Sequence, residues 1–110
     1  MTLVKAIVRP DKVEQVKDAL LGLGVSGLTV MEVRGHGKEK GHKSVYRGKE
    51  YEVNLLPKME VEVVVEDSCS DRTVRAIMQA ARTGEIGDGR VFVIPVAHSY
   101  TIRTGALDVL

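Results

Sequence analysis

The sequence predicts an α+β fold in which a strand–helix–strand unit occurs twice. Two observations carry the prediction. Two stretches show the apolar spacing of a helix face, and each lies between Val-rich stretches of strand type. A third observation divides the halves: a long polar segment, rich in Gly and basic residues, separates them.

Leu3 to Val8 is a short β-type run. Pro10 ends it, and Asp11 stands where it would cap the first helix. From Lys12 to Leu21 apolar residues fall at Val13, Val16, Ala19 and Leu20, one face of a helix. Gly22 and Gly24 are expected to stop it. Val25 to Val33 reads as the second strand. From Arg34 to Glu52 no apolar period survives, and the expectation is a long exposed loop. Loops of that length in a small domain are usually functional. Met59 to Val65 alternates apolar and acidic residues and then runs apolar, which is strand patterning. Ser68 or Ser70 would cap a second helix with Val74, Ile77, Met78 and Ala81 on one face. A Gly-rich turn, Thr83 to Arg90, precedes a strand from Val91 to Val96, and Tyr100 to Gly105 reads as a short tail segment. The order βαββαβ is the ferredoxin-like arrangement. Such a sheet carries both helices on one face and leaves the other in need of cover. Three copies around a threefold axis would supply it.

Composition bounds the function. At 110 residues the chain reads as one domain, 1–110. Its hydrophobic fraction is 44%, and with no Trp and one Phe the core must come from aliphatic residues. Sixteen basic against 15 acidic residues give a net charge of +1, which points to no nucleic-acid partner and no membrane surface. One cysteine, Cys69, leaves no intrachain disulfide and fits a reducing compartment. No apolar run approaches the roughly 20 residues that span a bilayer, and the first residues carry no signal-peptide pattern. A cytoplasmic location is expected.

Three segments carry chemistry. In Gly35-His36-Gly37-Lys38-Glu39-Lys40-Gly41 the glycines allow backbone N–H groups close to an anion, and the lysines add charge. Alone, it reads as a flexible basic loop. Thr83-Gly84-Glu85-Ile86-Gly87-Asp88-Gly89-Arg90 has three glycines in six positions, the makings of an anion nest, with Arg90 to pair phosphate oxygens. Asp88 would accept from a hydroxyl or help hold a metal ion. The segment also fits a plain tight turn. It is neither the Walker phosphate loop nor the dinucleotide fingerprint. In Tyr100-Thr101-Ile102-Arg103-Thr104-Gly105, Arg103 offers a forked donor, or is simply a solvated Arg.

The combination, order and spacing of these segments resemble the nitrogen regulatory PII family from end to end. The matching pieces are Ala6 to Pro10, Leu28 to Val30, Gly35 to Gly37, Tyr46-Arg47-Gly48-Lys49-Glu50-Tyr51, Leu56-Pro57-Lys58, Ala81 to Val93 and Ile102 to Gly105. The resemblance implies a homotrimer of ferredoxin-like subunits that binds ATP or ADP in the clefts between them. It implies a mobile T-loop at about 37–55, a B-loop at 82–90 and a C-loop near 101–104. Gly87, Asp88, Gly89 and Arg90 would hold phosphates. Ile7, Thr29, Glu62 and Val64 would line the adenine pocket, with Glu62 toward the ribose. Gly35, Gly37, Lys38 and Arg103 would complete the nucleotide site. Glu62 equally suits an outward position on an alternating strand.

In many members Mg-ATP also recruits 2-oxoglutarate at the loop base. Here that region supplies Glu39, Lys40, Gly41 and Lys58. Glu39 stands where such members carry Gln. It would bind Mg²⁺, but its charge disfavours a dianionic acid beside it, so ordinary 2-oxoglutarate sensing is not expected. Thr101 stands where many members carry Arg, which removes one contact. Both departures suit a divergent branch, with another small anion or a metal as co-effector. Tyr51 occupies the position that a modifying enzyme uridylylates in some members, Ser44 being a weaker candidate. Arg47 would contact the partner, a membrane transporter or a metabolic enzyme. His36 and His42 read as solvated loop histidines. No His or Ser lies in a recognisable catalytic motif, so no enzymatic role is expected, slow ATP hydrolysis being the opposing alternative. A trimeric metal-tolerance protein of like architecture is disfavoured by the Tyr-Arg-Gly and Gly-rich signatures.

Overall fold

The structure, a computed structural model, describes residues 1–37, 43–46, 49–52 and 55–110, the two short segments as backbone only. Strands β1 (Thr2–Val8), β2 (Thr29–Gly35), β5 (Leu56–Val65) and β6 (Gly89–Pro95) form one sheet in the order β2-β5-β1-β6. Every neighbouring pair in it is antiparallel. Strands β3 (Lys43–Tyr46) and β4 (Lys49–Glu52) pair separately, and helices α1 (Val13–Gly22) and α2 (Ser70–Ala81) pack on each other. The sheet order and pairing are those expected of the ferredoxin-like arrangement.

Alternation along β1 explains the layering. Thr2, Val4, Ala6 and Val8 are buried, and the residues between them are half-exposed. Successive strand side chains point to opposite faces, so one face of β1 meets the helices. The same parity on β5 presents Val61, Val63 and Val65. These close on Val16 and Leu20 of α1 and Ile77 and Ala81 of α2 in one cluster. Leu20 and Ile77 are fully buried, each worth about 2 kcal/mol of transfer free energy. The other face bears Phe92 and Ile94, both exposed.

Several expectations at element ends are corrected. Asp11 does not cap α1: Pro10–Lys12 forms a 3-10 turn, and Lys12 precedes the helix with no side-chain cap. The helix stop expected at Gly22 and Gly24 is found: Gly22 is the last residue of α1, and Gly24 turns the chain with φ +82. Neither Ser68 nor Ser70 caps α2, because Asp67–Cys69 makes another 3-10 turn first. Instead Asp67 accepts from the Thr2 hydroxyl at 2.6 Å and pairs with the N-terminal ammonium at 3.2 Å, tying the start of β1 to the start of α2. The second strand begins at Thr29 rather than Val25. The stretch 34–52 is not loop throughout: β2 runs on to Gly35, and β3 and β4 lie inside it. Their residues are mostly polar, Val45 apart, so apolar periodicity had no purchase there. The tail is a closed turn. Asp108 N–H donates to the Ser99 carbonyl, Ser99 N–H donates to Asp108 Oδ1, and Tyr100 bridges to Leu107. No helix of the described residues is long and apolar enough to cross a membrane.

Gly89 is required by the pairing of β6 with β1, opposite Val8. Its φ is +101, and a Cβ there would stand 1.7 Å from the Ile7 carbonyl oxygen. Backbone cannot yield as a flexible side chain does. Gly89→Ala is therefore expected to lose about 3 kcal/mol or more of folding stability. Denaturant titration checks this, and a loss below about 0.5 kcal/mol would contradict the close packing.

Candidate functional site

The Gly-rich segment after α2 is built around the Asp88 carboxylate. Helix α2 ends at Arg82, whose backbone turns extended, and the loop must then return to β6 within seven residues. Asp88 Oδ2 accepts the backbone N–H of Thr83 and of Gly84, each at 2.9 Å. Asp88 Oδ1 accepts from the Thr83 hydroxyl and, at 3.1 Å, from Arg9 Nε. Arg9 also donates to the Ile86 carbonyl at 2.9 Å. Lys58 Nζ donates to the Gly87 carbonyl at 2.7 Å. The loop's first and last turns are thus clamped to each other, to the end of β1 and to β5. The Thr83 hydroxyl, the Gly84 and Thr83 N–H groups and Arg9 hold the Asp88 carboxyl well below the usual carboxylate range, with partial desolvation opposing them.

Glycine is needed at two points of this turn, Gly84 with φ +91 and Gly87 with φ +104. Among the described residues the Gly87 N–H donates to no protein acceptor. Arg90 is exposed and makes no ion pair among the described residues. A rigid loop with unsatisfied backbone donors and an unpaired guanidinium is suited to an anion with several oxygens.

Strand parity places other sequence-derived residues beside it. Ile7 pairs across from Arg90 on one side and Glu60 on the other, and Glu62 and Val64 follow on the same face of β5. Lys5, between the strands, lies 3.3 Å from Glu60 and 3.8 Å from Glu62. Glu62 is half-exposed on the face opposite the helices and is paired with Lys5. Gly35 packs near the Lys58 stem, so the base of the 37–55 segment adjoins the 82–90 loop. Gly37 follows as a bend.

Two residues are not brought to the loop within one chain. Thr29 is on β2, the far edge, three strands from β6 and so about 14 Å across the sheet. Arg103 lies in the turn that follows β6. That strand starts at the 82–90 loop and ends beside Thr2, about 20 Å away. No hydrogen bond or ion pair joins Arg103 to the loop among the described residues. Lys38, Glu39, Lys40, Gly41, His42 and Arg47 lie outside the described residues, and Tyr51 and Ser44 fall where only the backbone is described. No cluster of His, Cys, Asp or Glu suited to a metal occurs among the described residues.

Sequence reading missed Arg9, Thr83 and Lys5. Arg9 and Asp88 are 79 residues apart, so no local pattern joins them. Thr83 had a readable signal, since a hydroxyl five residues before an Asp in a Gly-rich turn can close on it. At the mouth of the loop an apolar cleft of about 320 Å³ opens between α2 and β6, lined by Val74, Ile77, Met78, Ala81 and Val91 with Arg90 at its edge.

Comparisons with known proteins point to one family. Residues 1–106 match the family model described as nitrogen regulatory protein P-II. Relatives carrying that same name are 48% identical in Rhizobium etli, over 98% of this chain and 96% of the relative. The one in Azospirillum brasilense is 51% identical and that in Microchaete diplosiphon 53%, each over 96% of this chain and 94% of the relative.

Asp88 contributes stability that is present above the ordinary carboxylate range and lost as pH falls through its depressed folded-state value. The stability gap between the native chain and Asp88→Asn is therefore expected to be full at pH 7 and to shrink below about pH 4. Denaturation at a series of pH values checks this, and a gap that does not change with pH would contradict the clamp.

Proposed function

The chain belongs to the nitrogen regulatory protein P-II family, and on that premise we propose that it is a signal-transduction regulator binding ATP or ADP in clefts between the subunits of a homotrimer. Its relatives are named as regulatory proteins and not as enzymes, and the chain is a regulator of that family. The observation that carries the nucleotide reading is the clamped 82–90 loop, with a Gly87 N–H and an Arg90 beside Ile7 that have no partner among the described residues. Phosphates would rest on Gly87, Gly89 and Arg90. The adenosine would lie along the outer sheet face toward Glu62 and Val64. In this reading Asp88 shapes the cradle and does not touch the ligand, because its oxygens are already engaged.

The separation of Thr29 and Arg103 from the loop supports a cleft between copies. Each would reach a neighbour's phosphate loop rather than its own. Exposed Phe92 and Ile94 on the face opposite the helices favour the same assembly.

Output would run through residues 37–55 and include Arg47 and Tyr51. Lys58 links the strand after that segment to the Gly87 carbonyl. A ligand that draws Lys58 away, or that fixes the 82–90 loop, shifts the conformers available to the loop base. A partner that selects one conformer is then coupled to the ligand by the difference in its affinities. The partner would be a membrane transporter or a metabolic enzyme in the cytoplasm. Mg²⁺ would accompany ATP at Glu39, whose charge would weaken a 2-oxoglutarate beside it.

Calorimetry with ATP and ADP tests the reading. Removing one charged hydrogen-bonding contact, worth about 1.5 kcal/mol or more, weakens binding about tenfold or more. Arg90→Ala is expected to show that loss with an unchanged melting temperature, and ATP affinity equal to the native chain would contradict the site. Glu39→Gln is expected to raise 2-oxoglutarate affinity in the presence of Mg-ATP. Equal affinity in the two chains would contradict the role given to the Glu39 charge.

A further inference from the structure

Helix α2 carries an exposed basic face. Arg72, Arg75 and Gln79 are exposed, and so is Arg82 just past the helix end. They recur at steps of three, four and three residues. That spacing keeps them within about a quarter of the helix circumference, along a line of about 15 Å. Thr73, Ile77 and Ala81 hold the other side of α2 in the core. The basic face therefore points away from the sheet, and away from Phe92 and Ile94 on the sheet's far side. Copies that meet through that far side leave it open.

Folding gains nothing from these charges. Arg72, Arg75 and Arg82 make no ion pair among the described residues. Arg72 lies in the first turn of α2, where the helix dipole disfavours a cation. Arg72 and Arg75 are like charges three residues apart, a destabilising spacing on a helix. Asp71 is the only acid of α2. It stands four residues before Arg75, yet it forms no ion pair among the described residues. Arg72 Nη2 donates to the Cys69 sulfur at 3.1 Å, which steadies the guanidinium without neutralising it. Residues that break local rules with no compensating gain in the fold point to a function.

We propose that this face docks an acidic segment of a partner protein. Charge complementarity selects the sign. The cations of the face are all arginines, whose planar fork matches a carboxylate in a bidentate pair. Carboxylates at three- and seven-residue spacing on a facing helix would meet Arg72, Arg75 and Arg82 in turn. Gln79 between them offers a donor and an acceptor to the same segment. Met78, half-exposed at the border, adds an adaptable apolar contact. A nucleic acid or an anionic membrane calls for a broad basic surface, whereas the whole chain balances 16 basic against 15 acidic residues. The face needs neither nucleotide nor residues 37–55, so a partner that takes that segment would be held at a second point.

Calorimetry on the full chain tests it, with a synthetic helical peptide bearing Glu at three- and seven-residue spacing as the probe. Binding is expected at low salt. It should weaken about tenfold or more as sodium chloride rises from about 50 to about 300 mM. The chain carrying Arg72→Gln and Arg75→Gln should bind the peptide about tenfold or more weakly, with its melting temperature kept or raised. ATP titrated into the same variant should bind as it does to the native chain, which reads the nucleotide site separately. No peptide binding at low salt, or equal binding by the two chains, overturns the proposal. A clear fall in melting temperature returns the arginines to a structural role and overturns it as well. Duplex DNA or phosphatidylserine vesicles that bind as tightly as the peptide overturn the choice of a protein partner.

Discussion

One carboxylate organises the candidate site. Asp88 draws together two backbone N–H groups, a hydroxyl and a guanidinium. Three of its donors come from Thr83 and Gly84 at the start of the 82–90 loop and the fourth from Arg9, the residue after β1. Without that closure, a segment with three glycines would sample many conformations, since glycine loses the most freedom on ordering. With it, the free backbone donors face a fixed point. The acceptor capacity of Asp88 is used up in the process. In the proposed site, Asp88 would therefore shape the donors and not touch the ligand.

The sheet divides the labour. Even positions of β1 and odd positions of β5 hold the aliphatic core against the helices. The opposite face carries Lys5, Glu60 and Glu62 at its centre, with Ile7 and Arg90 toward the loop. Glu60 is buried on that face, and Lys5 offsets the cost of burying its charge. The polar centre and the exposed Phe92 and Ile94 make a surface unlike the solvated face of a lone antiparallel sheet. The same strand geometry that layers the core therefore sets out the residues of the opposite face, where the proposed ligand and subunit contacts would lie.

Legibility in the sequence tracks locality. Val4, Val61 and Ile77 announce their burial through periods of 2 and 3.6, so the order of elements and the core were readable. The 82–90 loop was readable as a candidate anion site because its glycines and Arg90 fall within one short segment. The helix starts were not, because Pro10 and Asp67 open 3-10 turns that displace the capping positions of Asp11 and Ser70. The loop contacts of Arg9 and Lys58 were not readable for another reason. Their partners Asp88 and Gly87 are 79 and 29 residues away, and only tertiary packing joins them. Strands β3 and β4 were hidden because their residues are mostly polar and carry no apolar alternation.

The loop also explains how a binding event would be felt elsewhere. Arg9 anchors it to β1, and Lys58 anchors it to the strand that comes after residues 37–55. Any ligand on Gly87 changes the load on both anchors. Amide hydrogen exchange, residue by residue, tests the preformed cradle most directly. Without nucleotide, the Thr83 and Gly84 amides should already be protected by Asp88 and that of Gly87 should exchange freely. ATP should then slow Gly87 and leave Thr83 and Gly84 as they were. Free exchange at Thr83 and Gly84 before ATP, or no response at Gly87 after it, would contradict the account.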